Sequence, residues 1–169
     1  IRKNIEKPWS WGKLGLSKNK IVTLDFIEEF IDKNWDWGYS GLSSNESINI
    51  EMIEKYSDKE WDWNGLSCNK KINIDFIKRF INKSWSWGKY GLSINKSITE
   101  EFIEKHIDKP WHWGQGGLSN NSIISEKFIE KYIDKPWDWG FLGLSRSNNI
   151  PSHFLGSASK IALMYPPMK

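Results

Sequence analysis

WSWGKYGLSINKSITEEFIEKHIDK, residues 85–109, is a unit that recurs along most of the 169-residue chain. Each copy carries a Trp-x-Trp pair, a Leu-Ser step and an amphipathic segment. The first tryptophan of the pair falls at Trp9, Trp35, Trp61, Trp85, Trp111 and Trp137, at intervals of 26, 26, 24, 26 and 26 residues. A period of this length is typical of repeat proteins. We number the repeats 1 to 6 by these pairs.

The second half of each repeat predicts an amphipathic helix. Thr99 stands in the N-cap position, where its hydroxyl can accept from a free backbone N–H. An acidic residue follows in the first turn, and Lys109 closes the segment, which suits the helix dipole. The same cap position holds Thr23, Asn49, Asn73 and Ser125. The pattern predicts a helix of about ten residues that needs its neighbours for stability.

One face of this helix is predicted to be buried. Phe102, Ile103, His106 and Ile107 have the spacing of a single helical face. Their equivalents are Phe26, Ile27, Phe30 and Ile31 in repeat 1, and Phe128, Ile129, Tyr132 and Ile133 in repeat 5. Because His106 takes the place of an aromatic residue, we interpret it as a partly buried ring and not as a metal ligand.

The Trp segment predicts a second, shorter helix. Repeat 3 could form two turns from Glu60 to Ser67, and the other five repeats insert two residues and carry glycines that suggest an early helix end and a tight turn. We therefore predict an all-α fold, a short α-solenoid of about six helical-hairpin repeats of 24–26 residues. The solenoid would span residues 1–150, beginning inside a repeat, and residues 151–169 would form a C-terminal cap or tail.

A leucine-rich-repeat-like α/β solenoid is the alternative fold. The run Leu66-Ser67-x-Asn69-x-x-Ile72 resembles the strand and asparagine ladder of that class, whose period is 20–29 residues. However, a glycine stands directly before the leucine in every repeat, where the ladder would need an alternating leucine.

Composition excludes several classes of protein. All 12 tryptophans belong to the six pairs and are expected to pack between repeats, since so many exposed indoles would make the chain insoluble. The net charge of +3 is small and interleaved, without the basic stripe of nucleic-acid-binding proteins. No apolar run has the length of a membrane span, no signal peptide opens the chain, and the single Cys68 allows no internal disulfide.

The residue between the two tryptophans varies among repeats, which makes it a candidate for partner recognition. We predict a partner-binding row consisting of Asp36, Asp62, Ser86, His112 and Asp138. An exposed or helix-starting polar residue is the plainer interpretation. A catalytic acid could not change to serine or histidine and keep its role, so acid–base catalysis at this position is not expected.

No other residues predict catalysis, a metal site or a cofactor. The serine of each Leu-Ser step recurs without a histidine base, which indicates a turn or cap role instead of a nucleophile. His106, His112, His153 and Cys68 lack the convergent spacing of metal ligands.

The chain resembles a family of viral repeat proteins. Asp134-Lys135-Pro136-Trp137-Asp138-Trp139, followed by Gly143-Leu144-Ser145, is similar to the DKPWDWxxLSxNxxIT repeats of giant DNA viruses such as mimiviruses. Trp61 to Asn69 matches their spacing without an insertion, and the resemblance extends to about Ile150. It implies a viral, helical-repeat protein and brings no catalytic residues.

These observations favour a non-enzymatic scaffold that binds another protein, viral or host, in the host cytoplasm or the virion. One alternative is a structural component of the virion or capsid, as a subunit of a larger assembly. A second alternative is a carbohydrate-binding module that uses exposed Trp pairs. No nucleic acid, membrane or cofactor is expected as a partner.

Overall fold

The computed structural model describes residues 2–146, and this part of the chain is helical and contains no strand. The all-α prediction is therefore confirmed there. The α-helices are α1 (Leu24–Glu29), α2 (Ile50–Lys55), α3 (Trp63–Ser67), α4 (Ile74–Arg79), α5 (Glu100–Lys105) and α6 (Glu126–Lys131). Short 3-10 turns occupy Arg2–Asn4, Leu16–Lys18, Leu42–Ser44, Leu92–Ile94, Leu118–Asn120 and Leu144–Arg146. The predicted cap or tail at 151–169 lies outside the described residues.

The predicted N-caps are confirmed in all five repeats that carry them. Thr99 has an extended backbone, and its hydroxyl accepts from the Phe102 N–H at 3.1 Å. Thr23, Asn49, Asn73 and Ser125 accept in the same way from the residue three positions on. Each cap satisfies one of the four N–H groups that a helix start leaves free.

The C-terminal ends of these helices were predicted wrongly. Each helix has six residues instead of about ten, because the aromatic residue after it leaves the helical conformation, with φ −121° and ψ 37° at His106. The carbonyl of that residue accepts the indole N–H of the next Trp pair, Trp111, at 2.8 Å. The stop is thus imposed by a tryptophan five residues further along the chain.

The predicted buried face is correspondingly shorter. Phe102 and Ile103 are buried, whereas His106 is half-buried and Ile107 remains 37 % exposed. The lysines that were expected to close the helices lie beyond their ends. Instead, Lys109 places its ammonium 5.9 Å from the ring centroid of Trp87, a cation–π contact.

The Trp segment also differs from the prediction. Only repeat 3 forms an α-helix there, and α3 starts at Trp63 because the Asp62 carboxylate caps it by accepting from the Gly65 N–H at 2.7 Å. In repeats 1, 2, 4, 5 and 6 a turn leads into a 3-10 turn at the Leu-Ser step.

The chain divides into two compact units, Ile1–Ser86 and Trp87–Lys169. In the described part of each unit, every repeat contributes the leucine of Leu-Ser to the core, and repeats 1 to 5 add apolar residues of their helices. Buried examples in the first unit are Ile27, Leu42, Ile48, Leu66 and Ile77, and in the second unit Leu92, Ile98, Ile103, Leu118 and Ile129.

Candidate interaction surface

The serine of the Leu-Ser step joins each repeat to the next one within a unit. In the first unit, Ser43 Oγ donates to the Trp37 carbonyl at 2.5 Å and accepts from the Asp62 N–H at 2.8 Å. In the second unit, Ser119 Oγ donates to the Trp113 carbonyl at 2.6 Å and accepts from the Asp138 N–H at 2.9 Å. Both serines are fully buried. These hydrogen bonds confirm the predicted turn or cap role of the serine. They also occupy the hydroxyl group that a nucleophilic serine would need.

An asparagine two residues after the serine forms a second link. Asn121 Nδ2 donates to the carbonyls of Ser93 and Asn95 in the preceding repeat, both at 3.1 Å. Asn45 Nδ2 likewise donates to the Ser17 and Asn19 carbonyls at 3.0 and 3.3 Å. A buried asparagine ladder is therefore present, as the leucine-rich alternative requires, but the strand that accompanies it in that class is absent from residues 2–146.

The tryptophans pack between repeats, as predicted from their number. The first tryptophan of pairs 2 to 6 is only 5–8 % exposed, and Trp9 is 36 % exposed. The second tryptophan meets the first one of the next repeat edge-on. Centroid distances are 5.1 Å for Trp11–Trp35 in the first unit and 5.1 Å for Trp113–Trp137 in the second. Its other faces contact a helix phenylalanine, as in Trp113–Phe128, and a lysine, Lys135.

The predicted partner-binding row is half-buried at every position. Asp36 Oδ1 accepts from the Gly38 N–H at 2.9 Å, and Asp138 Oδ1 accepts from the Gly140 N–H at 2.9 Å. Asp62 caps α3, and His112 Nε2 lies 2.9 Å from the Gln115 carbonyl. Four of the five side chains thus bond to their own loop, so the structure gives them a local role beside the predicted one.

His106 is a titratable group whose pKa is changed by this packing. Its ring lies 4.6 Å from Phe102 and 5.6 Å from Trp87 between centroids. Burial lowers the pKa of the imidazole, and the neighbouring Lys105 and Lys109 lower it further against a smaller opposing effect of Asp108. The imidazole acts as an aromatic filler, as the sequence indicates.

Comparison with known proteins assigns no function to this arrangement. The chain matches no protein-family model, and no curated protein or solved structure matches it. Within residues 2–146 no three histidine, cysteine, aspartate or glutamate side chains converge to hold a metal ion, and no helix there has the length and apolarity to cross a membrane.

The two-residue insertions of five repeats are visible in the sequence, but the sequence interpretation assigns them only to a turn and not to an interaction surface. We call these pairs the tips: 13–14, 39–40, 89–90, 115–116 and 141–142. They are exposed, apart from half-buried Ser40 and Gly116, and they include the large apolar side chains Leu14, Tyr39, Tyr90, Phe141 and Leu142. The sequence contains a pattern that could have identified the tips as an exposed surface. Their residues vary between repeats, while the glycines on either side stay constant.

Proposed function

We propose that the protein is a non-enzymatic repeat scaffold that binds another protein, with its six repeats forming a short α-solenoid. One observation carries this proposal: the residues that repeat hold neighbouring repeats together, and the varying residues of the tips lie outside that frame. Ser43 and Asn45 show the first use, and the tip residue Tyr39 shows the second. Repeat arrays of this kind present extended binding surfaces.

The absence of an enzymatic role is part of the proposal. The recurring serines donate their hydroxyl protons to carbonyls and accept backbone N–H groups. The Asp36 and Asp138 carboxylates are occupied by glycine N–H groups. These residues support the backbone, and chemistry would need groups that are free to react with a substrate.

Chemical cross-linking of the tagged protein in its source, followed by mass spectrometry, tests the proposal. We expect one protein to co-purify in stoichiometric amount, with cross-links to exposed lysines. Charge reversal at Asp36, His112 and Asp138 tests the predicted partner-binding row separately, with circular dichroism to verify folding. Recovery of the chain alone, or turnover of a small molecule by the pure chain, would contradict a binding scaffold.

A structural role in the virion is the second candidate. The same bond recurs at the same spacing in each unit, which suits a component that sets a length. The serine and the residue whose backbone N–H it accepts are 19 residues apart at Ser17–Asp36 and at Ser119–Asp138. Stoichiometric presence in purified particles would favour this role, and absence from them would remove it.

The carbohydrate alternative receives little support from the Trp pairs. Sugar-binding tryptophans expose a ring face, whereas Trp35, Trp61, Trp85, Trp111 and Trp137 are buried and use their indole N–H groups on the preceding carbonyl. We keep a viral or host protein as the proposed partner, and the host cytoplasm or virion as the proposed location, on the strength of the resemblance to giant-virus repeats.

A further inference from the structure

The tips concentrate the exposed apolar surface of the described residues. Phe141 is 78 % exposed, Leu14 75 %, Tyr90 62 %, Tyr39 57 % and Leu142 48 %. The other large apolar side chains exposed in this part of the chain are Trp9, Ile21 and Ile107. Exposed apolar side chains that gather on one feature mark an interaction site, and aromatic residues are enriched at the centres of protein interfaces.

In the second unit the tips form a bonded series. The Tyr90 N–H donates to the Gly116 carbonyl at 3.0 Å, which joins the tips of repeats 4 and 5. Asn120 Oδ1 accepts from the Gly116 N–H and its Nδ2 donates to the Leu142 carbonyl, both at 2.7 Å, which joins the tips of repeats 5 and 6. The tip backbones that carry these apolar side chains are therefore linked from repeat 4 to repeat 6.

Gly116 allows the tips of repeats 4 and 5 to approach each other closely enough to bond. Its φ of +77° is strained for other residues, and a Cβ there would lie 2.9 Å from both Lys89 Cε and Tyr90 Cε1. The side chains of Lys89 and Tyr90 thus lie over the Gly116 tip, and the Lys89 ammonium is 5.1 Å from the Tyr90 ring centroid. Tyr90 itself has φ +59°, a costly conformation for a tyrosine.

In the first unit the tips also combine a lysine with exposed apolar side chains. Lys18 Nζ lies 5.9 Å from the ring centroid of Tyr39, whose carbonyl accepts from Ser44 Oγ at 2.7 Å. Lys13 and Leu14 form the tip of repeat 1, and Leu14 repeats the positive φ of Tyr90, at +59°.

The charge of the tips has one sign. Lys13 and Lys89 belong to tips and Lys18 flanks one, while none of the ten tip positions is acidic. Within residues 2–146, none of these three lysines forms an ion pair, although helix lysines such as Lys55 and Lys131 pair with glutamates of the neighbouring repeat. A ligand that complements this surface carries negative charge beside apolar side chains.

We propose that the tips dock an acidic polypeptide segment that carries aromatic or aliphatic side chains. This inference rests on the proposed scaffold function and names its surface. Within the second unit, the apolar side chains of such a segment would cover Tyr90, Phe141 and Leu142, and its carboxylates would face Lys89. Within the first unit, a segment of the same kind would cover Leu14 and Tyr39, and its carboxylates would face Lys13 and Lys18.

Fluorescence anisotropy with synthetic peptides tests this surface on the full chain. The probe is a labelled peptide built from Asp, Glu, Leu and Phe, and two matched probes replace its acids by Lys or its apolar residues by Ser. We expect the first probe to bind and each of the others to bind at least about tenfold more weakly.

Variants locate the binding. Tyr90→Ser with Phe141→Ser, and separately Lys13→Glu with Lys89→Glu, are each expected to weaken the first probe by about tenfold or more. The matched controls are Ile21→Ser, an apolar residue of similar exposure outside the tips, and Lys70→Glu, an exposed lysine outside the tips. Circular dichroism shows whether each variant is folded.

Equal binding of all three probes, or equal loss in tip variants and controls, would overturn the inference. So would cross-links that place a stoichiometric protein partner on the helix surface instead of the tips. That last result would leave the scaffold function intact, so the two proposals fail separately.

Discussion

At the scale of single residues, the serine of the Leu-Ser step links two repeats through one hydroxyl group. Ser43 satisfies a carbonyl of its own repeat and an N–H of the next one, and its exposed fraction is 0 %. The sequence predicts that this serine serves a turn or cap. It could not predict the acceptor contact across repeats, since that depends on how neighbouring repeats align.

Ser43→Ala should lower the free energy of unfolding by about 1–3 kcal/mol, because it leaves the half-buried Asp62 N–H without its acceptor and the Trp37 carbonyl without its donor. Urea denaturation measures the change. Ser44→Ala is the matched control, since Ser44 Oγ bonds only to the Tyr39 carbonyl near the surface, and it should cost less than about 0.5 kcal/mol. Equal losses in both variants would contradict the bridging role.

His106 should make stability depend on pH. Because burial lowers the pKa of its imidazole below 6.5 in the folded state, the unfolded chain binds more protons as the solution becomes acidic. Stability is then full above pH 6.5 and falls as the pH drops toward the lowered pKa of His106.

His106→Phe, which installs the residue found at Phe30 and Phe80, should flatten this dependence. Thermal unfolding between about pH 5 and about pH 8 measures it. His112→Asn serves as the control, because the His112 ring nitrogen lies against the Gln115 carbonyl of its own loop and not in the Phe102–Trp87 cluster. An unchanged pH profile in His106→Phe would show that the dependence has another origin.

At the scale of elements, helix starts are predictable from sequence and helix ends are not. The caps at Thr23, Asn49, Asn73, Thr99 and Ser125 depend on contacts three residues away. The ends coincide with a side-chain contact that propensity does not take into account. The indole N–H groups of Trp35, Trp61, Trp85, Trp111 and Trp137 donate to the carbonyl five residues back, so the helices end before their local propensity would end them.

The glycine before Leu-Ser is required by a close approach of the backbone. A Cβ on Gly117 would lie 1.9 Å from the His112 carbonyl oxygen, whereas a Cβ on Gly114 would lie 3.7 Å from its nearest neighbours. Gly117→Ala should therefore cost about 3 kcal/mol or more, since the backbone must move.

Gly114→Ala, in the same loop, should change stability by less than about 1 kcal/mol. Chemical denaturation of both variants provides the comparison. A tolerated Gly117→Ala would show that the loop relaxes without disturbing the Leu118 N–H bond to the His112 carbonyl.

At the scale of the whole molecule, the period predicts a helical repeat protein. It does not predict which residues of a repeat support the backbone and which ones are exposed. The varying residue between the tryptophans looks like a recognition position, yet Asp36 and Asp138 bond to their own loops. The tips vary as well, and only the three-dimensional structure shows that their apolar side chains are exposed.

The ion pairs between helices should contribute little to stability. Glu28–Lys55 and Glu104–Lys131 are 2.8 Å pairs whose side chains are 35–59 % exposed. Raising the salt concentration from about 0.1 to about 1 M should lower the free energy of unfolding by less than about 2 kcal/mol in total.

Denaturation at the two salt concentrations measures this effect. A variant with glutamine at Glu28, Glu54 and Glu104 is the control, and it should show still less salt dependence. A much larger loss of unfolding free energy in the unaltered chain would mean that ion pairs, and not aromatic packing, hold neighbouring repeats together.

The constant spacing of the serine bond has a genetic consequence. Ser17, Ser43, Ser93 and Ser119 each bind the N–H of a residue 19 positions on, and the tip insertion lies outside that interval. Unequal recombination that duplicates or deletes one whole repeat would give every serine an equivalent new partner. Repeat number can therefore drift between related genes without passing through an unfoldable intermediate, and tips can diversify independently of the frame that carries them.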